Sequence, residues 1–369
     1  GFRDTVALAW EMQEAMNEMA AEGEGLALAM PARDWEGDFR RAKQAPPEQR
    51  LALLADAAEA GYVSGQGGEN ELAARAAEMR RIADALPRGS IVRVRALRLA
   101  ADQDEDLPRT QARLRELLEE LRDAPPEAAI ERARVGAALA QALESSPERL
   151  QLLRESRDAL RERVPPGDYA LGGAWSELAR ELAQQRDMAA ADREWSALMA
   201  WYGGAADKDP VAMGNRDGAR MGYATFLVKE ARFDEAEALL RPSVEASMAA
   251  ASGRRSRLAG DSWKLQALFW LAARKGDAAQ ASAWLAAWEK SAGRRFAERN
   301  PQFGLARLAA AELSKDAEAL EKARANLAAL PGTPAYLCKH PMPMFDGTEI
   351  GVQRAGLIAR HELCKVRSG

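Results

Sequence analysis

The chain has 369 residues, enough for one large or two medium domains; its 47% apolar content excludes disorder, and two Cys exclude a disulfide-dense fold. Eighty residues are Ala, 29% are charged and 6% are aromatic, a composition that reads as nearly all helix. The net charge of −4, from 52 basic and 56 acidic side chains, implies no global attraction to nucleic acid, and apolar runs such as Leu265 to Ala273 stop far short of a bilayer span.

The start at Gly1 rather than Met reads as an excised or processed piece, with no secretory leader legible at Thr5–Trp10. Amphipathic stretches then recur between short Gly, Pro and Asp punctuation. An N-terminal helix is expected near 2–22, followed by helical hairpins near 47–86, 90–123, 126–164, 169–202, 215–250, 260–292 and 302–330, and a last helix near 349–366. Pro47, Pro126, Pro147 and Pro301 sit where a first helical residue needs no N–H, with Ser146 and Asn300 as N-caps. Asp187, Asp234, Asp277 and Asp316 mark a second set of starts; Asp234 with Glu237 and Asp277 with Gln280 read as capping boxes. Stops are read at Pro87, Pro165-Pro166, Gly203-Gly204, Gly253, Gly293 and Pro331. The short IVRVR alternation at Ile91–Arg95 sits in a helical context, so no strand is expected. Three segments result: 1–46, an N-terminal helix and acidic lead-in; 47–330, a repeat array; and 331–369, a Pro-rich loop with a C-terminal capping helix.

Ala191, Ala236 and Ala281 are spaced 45 apart, each early in the second helix of a hairpin. Ala179 and Ala224 lie 12 residues before the first two, and Trp195, Leu240 and Leu285 lie four after the three. Antiparallel helices approach closely only where facing side chains are small, and large residues fill the gap to the next hairpin. On these residues the chain resembles a tetratricopeptide-type repeat. The closest stretch is 221–246, through Ala224, Leu227, Phe233, Ala236 and Leu240; 175–198 matches through Ala179, Leu182, Ala191 and Trp195. In 265–285 Gly276 matches the turn glycine, while Phe269 replaces the small residue. The period exceeds the family's, and the closing proline is mostly missing. The resemblance implies an all-α superhelical solenoid of about seven antiparallel hairpins with a concave, non-catalytic binding surface. It is similar to regulatory and sensor tails of bacterial signalling proteins. The expected function is a protein- or peptide-binding scaffold or sensor module of a bacterial signalling or assembly system, not an enzyme.

Catalytic motifs are sparse. Gly65-Gln66-Gly67 follows no strand. Glu144-Ser145 is similar to the Glu-Ser of lytic transglycosylases but reads better as a helix start. Seven of nine Trp lie between Trp175 and Trp288, which keeps open a helical carbohydrate-active enzyme, a toroid glycosidase with paired carboxylates among stacking aromatics. A small-ligand sensor domain is the other alternative.

Two clusters stand out. Both Cys and both His fall in 338–364: Cys338, His340, His361 and Cys364. A Cys338–Cys364 disulfide, which would favour the periplasm over the cytoplasm, competes with a Cys₂His₂ zinc site and with simple coincidence; no cofactor is expected outside the zinc alternative. Arg254, Arg255 and Arg257 share one inter-hairpin loop, Arg294 and Arg295 (with Arg299) the next, and Arg216 and Arg220 sit at or just after the previous one. Recurring near the repeat spacing, they form a candidate binding edge for an acidic protein or peptide partner. Residues 1–40 carry a net −6, so this segment, from the same chain or a second copy, is one candidate partner, which makes self-association an expectation.

Overall fold

The computed structural model describes residues 34–59, 68–104, 106–165, 167–203, 210–250, 261–330 and 344–363. These hold 17 α-helices and no strand. The first nine are α1 (Trp35–Ala42), α2 (Pro47–Glu59), α3 (Gly68–Ala83), α4 (Ile91–Ala101), α5 (Leu107–Glu120), α6 (Ala129–Ala142), α7 (Pro147–Arg161), α8 (Tyr169–Gln184) and α9 (Met188–Tyr202). The remainder are α10 (Pro210–Lys229), α11 (Phe233–Ala250), α12 (Ser262–Arg274), α13 (Ala278–Ala292), α14 (Arg294–Arg299), α15 (Pro301–Ser314), α16 (Ala317–Ala329) and α17 (Glu349–Arg360). The helix expected near 2–22 lies outside the described residues.

Capping chemistry sets most of these starts. Ser146 and Asn300 accept from the amides of Arg149 and Gln302, and Asp187, Asp277 and Asp316 accept from the amides of Ala190, Gln280 and Ala319. Three of the expected features differ: at Pro126 a single 3₁₀ turn, Pro126–Ala128, precedes α6, which begins at Ala129. Helix α11 begins at Phe233, so Asp234 lies inside the first turn, where its carboxylate takes the Lys275 ammonium at 2.7 Å. Asp277 caps as expected, but its own amide bonds to the Ala272 carbonyl and Gln280 turns toward Arg241, so the reciprocal half of that capping box is not made.

The chain divides into two compact units at Ala219/Arg220, within α10. In the unit Ala29–Ala219, the main helix contacts join elements one or two places apart: α2 with α3 and α4, α4 with α5 and α6, and α6 with α7 and α8. Small residues permit the close approaches. A Cβ at Gly172 on α8 would lie 2.1 Å from the Tyr202 hydroxyl of α9. A continuous apolar core runs from Leu51 through Met79, Leu97 and Leu117 to Leu139.

From Arg220 onward the arrangement changes. Helix α12 is buried along most of its length and contacts α11, α13, α15 and α17, so it is the centre of its unit. Phe269 and Trp270 on α12 pack with Trp288 of α13 and Phe303 of α15. Helix α17 closes onto α12 and α15: Arg274 meets Glu349 at 2.9 Å, and buried Arg354 reaches the Gln302 amide oxygen at 2.9 Å while stacking over Trp270.

The repeat positions read from the sequence are packing positions. Ala179, Ala191, Ala224, Ala236 and Ala281 have no exposed surface, and Trp195, Leu240 and Leu285 are buried. Ala236→Trp should therefore overpack its site and cost about 1–3 kcal/mol. A melting temperature equal to that of the parent would show that the site has room.

Candidate functional site

Three helices of the first unit each present two charges at i, i+3 spacing, which puts both on one helix face. They are Asp56 and Glu59 on α2, Arg95 and Arg98 on α4, and Glu131 and Arg134 on α6. Because α4 touches both α2 and α6, these faces meet. Arg95 donates to Asp56 at 2.8 Å and to Glu59 at 2.5 Å. Arg98 donates to Glu59 at 2.9 Å and through Nε to Glu131 at 2.6 Å. Arg134 stands 3.8 Å from both Glu59 and Glu131 and donates at 3.1 Å to Asp168, whose other oxygen caps α8 at the Leu171 amide.

The result is a ladder of three guanidiniums and four carboxylates crossing four helices. Its centre is dry: the side chains of Arg98 and Glu131 are 10% and 4% exposed, against 37% for Asp56 at one end. Burial pushes the Glu59 carboxyl up, but the hydrogen bonds and charges of Arg95 and Arg98 outweigh this and hold it below the ordinary glutamate value. Burial likewise disfavours charge on Arg95 and Arg98, and their carboxylates overcome it. At the Asp168 end, burial first and the Asp168 charge second push the Tyr202 hydroxyl up to about 12. Every carboxylate in the ladder faces a guanidinium.

A second set of pairs links other helices of the unit. Arg93 holds both oxygens of Glu120, which also accepts the Gly89 amide at 2.6 Å; Arg50 meets Glu78, Arg149 meets Glu177 at 2.7 Å, and Arg157 meets Glu194. Glu194 also accepts the Trp175 indole N–H at 2.6 Å. Between Lys43 and Lys208 every cation in the chain is Arg, the side chain whose planar fork serves two carboxylates at once. Ser145 donates at 2.6 Å to Glu181, a fully buried carboxylate of α8, and Ser146 caps α7; the Glu144-Ser145 pair is thus part of a helix start.

Sequence reasoning missed the ladder because charges at helical spacing look like solvated faces. Its legible trace is the recurrence of same-face charged pairs at 56/59, 95/98 and 131/134, with signs that complement from one helix to the next.

The basic residues named from sequence are differently placed. Arg294 and Arg295 lie not in a loop but on the short helix α14, set off from α13 by Gly293 at φ 87°, a left-handed conformation that favours glycine. Both are exposed, and Arg294 pairs with Glu298 at 2.8 Å. Arg216 and Arg220 lie on α10, one on each side of the division between units; Arg216 donates to the Gly203 carbonyl at the end of α9. Arg254, Arg255 and Arg257 lie outside the described residues, as do Cys338, His340 and Cys364.

His361, the fourth member of the tail cluster, follows α17, and its Nε2 is 2.7 Å from Glu312 of α15. Arg360 takes the other Glu312 oxygen at 2.7 Å. Burial raises the Glu312 pKa, but Arg360 and His361 outweigh it and hold the carboxyl below its ordinary value. No group of three His, Cys, Asp or Glu suited to a metal ion occurs among the described residues.

Trp175, Trp195, Trp270, Trp284 and Trp288 are all buried in helix packing. No described helix is long and apolar enough to cross a membrane. Comparisons with protein-family models, curated proteins and solved structures return no match.

Proposed function

We propose that the chain is a non-catalytic helical-repeat scaffold, tetratricopeptide-like in its stacking of about seven hairpins, that binds a protein or peptide partner in a bacterial signalling or assembly system. The observation that carries this reading is the neighbour-only packing of α2–α9; of the repeat-spaced Ala residues, Ala179 and Ala191 are buried on its helices α8 and α9, and Ala224, Ala236 and Ala281 are buried in the other unit. Stacked units of this kind build surface in proportion to their length and need no enclosed site. Burial of five Trp in the core supports the scaffold over the carbohydrate-active enzyme, which requires aromatics open to a sugar. The surface proposed for an acidic segment is carried by Arg254, Arg255, Arg257, Arg294 and Arg295, which recur near the repeat spacing, with Arg216 and Arg220 before them in the sequence.

The test is fluorescence anisotropy with defined acidic, neutral and basic peptides, and with the residue 1–40 segment, at low and moderate salt. The acidic peptides should bind, and binding should weaken as salt rises, because exposed charges are screened within about 8 Å at physiological ionic strength. Replacing the five Arg with Ser should abolish the preference. Equal binding of all peptides, or turnover of cell-wall or chitin oligosaccharides by the purified chain, would reject the scaffold reading.

A further inference from the structure

We propose that the charge ladder is an acid-released latch: protonating its carboxylates lets helices α2, α4, α6 and α8 move apart while each helix pair stays folded.

Two kinds of cohesion hold this unit. An apolar core that does not titrate runs through the pairs, from Leu51 and Leu54 on α2 through Met79, Leu97 and Leu117 to Leu139 on α6, and within the α2–α3 pair the Arg50–Glu78 ion pair joins it. The inter-helix bonds of the ladder all cross from one pair to the next: Asp56 and Glu59 to Arg95 and Arg98, Arg98 to Glu131, and Arg134 to Asp168. Acid therefore acts on stacking between pairs. A protonated Glu59 takes one of two counter-charges from the buried Arg98 guanidinium, and the separation of the helices readmits water to it.

The groups facing the ladder from each neighbouring element are defined. Helix α2 supplies Asp56 and Glu59, and α6 supplies Glu131 and Arg134. The N-terminus of α8 supplies Asp168, which Tyr202 of α9 faces in turn. Burial holds the Asp102 carboxyl, at the end of α4, above its ordinary value, and the Arg98 charge opposes this. From α3, Arg80 reaches the Ala100 carbonyl of α4, and from α5, Glu120 is held by Arg93, away from the ladder. The sign follows from Glu59. Its folded pKa lies below the ordinary 4.5, so its stabilisation is present above that value and is lost as pH falls through the lower, folded one. The cations are Arg and stay charged, so release comes only from the acid side.

The experiment uses the full chain with spin labels on p-acetylphenylalanine at Gln49 and Arg132, both exposed, which leaves Cys338 and Cys364 untouched. The label separation between α2 and α6 should lengthen as pH falls from 7 to about 2, well below the ordinary Asp and Glu values, with far-UV helicity unchanged, and should recover on neutralisation. In Arg98→Met/Glu131→Leu, where apolar packing replaces the central pair, most of that lengthening should vanish. A constant separation, an equal lengthening in the double variant, or lengthening that occurs only with loss of helicity would each overturn the latch.

Discussion

Arg98→Met should destabilise the unit Ala29–Ala219 by about 3–5 kcal/mol, the cost of removing one partner from a buried ion pair. The loss arises from the group left behind: Glu131, with a side chain 4% exposed, keeps only Arg134 at 3.8 Å. Arg98→Met/Glu131→Leu should recover most of the loss, because two apolar side chains need no counter-charge. Urea midpoints of the parent, both single variants and the double variant complete the cycle and isolate the pair's coupling. A loss below about 1 kcal/mol in Arg98→Met would place the pair in the class of solvated ion pairs.

A loss of similar size is expected at the centre of the other unit. Phe269 on α12 is fully buried, with its ring 4.9 Å from that of Trp270 and 6.5 Å from that of Trp288. Phe269→Ala should cost about 3–5 kcal/mol, combining lost transfer energy with the cavity left behind. Thermal unfolding followed by tryptophan emission reports it directly, since two of the neighbouring rings are indoles. Val352→Ala on α17, at a position 71% exposed, is the control and should stay within about 0.5 kcal/mol of the parent. Equal, small effects at both positions would mean that α12 is not the core of its unit.

Local chemistry made the helices legible. A proline at the first turn, an Asp or Ser before it and a glycine after the last turn act within a few residues, and the structure places helices at Pro47, Pro147 and Pro301 accordingly. The Ala–Ala–large rhythm was legible for the same reason: side-chain volume limits helix approach wherever the partner lies. What escaped depends on distant partners. Asp234 was read as a cap because the Lys275 that takes its carboxylate is 41 positions away. Helix α14, with six residues, is too short to show a period and passed for an Arg-rich loop. The ladder escaped because each rung pairs residues 33 to 39 apart, and a charge gives no local sign of whether water or a guanidinium will neutralise it. The role of α12 was visible in one respect: a run that is mostly apolar but too short for a membrane, as at Leu265 to Ala273, has to be enclosed by other helices.

The exclusive use of arginine between Lys43 and Lys208 has a practical consequence. A lysine-specific endoproteinase finds no bond to cut between Lys43 and Lys208, so complete digestion even of the denatured chain releases helices α2–α9 as one uninterrupted polypeptide. Amine-directed labels and acetyl donors likewise find no side chain to modify there. The segment can be excised whole, and whether it regains helix without the rest of the chain becomes a one-step measurement.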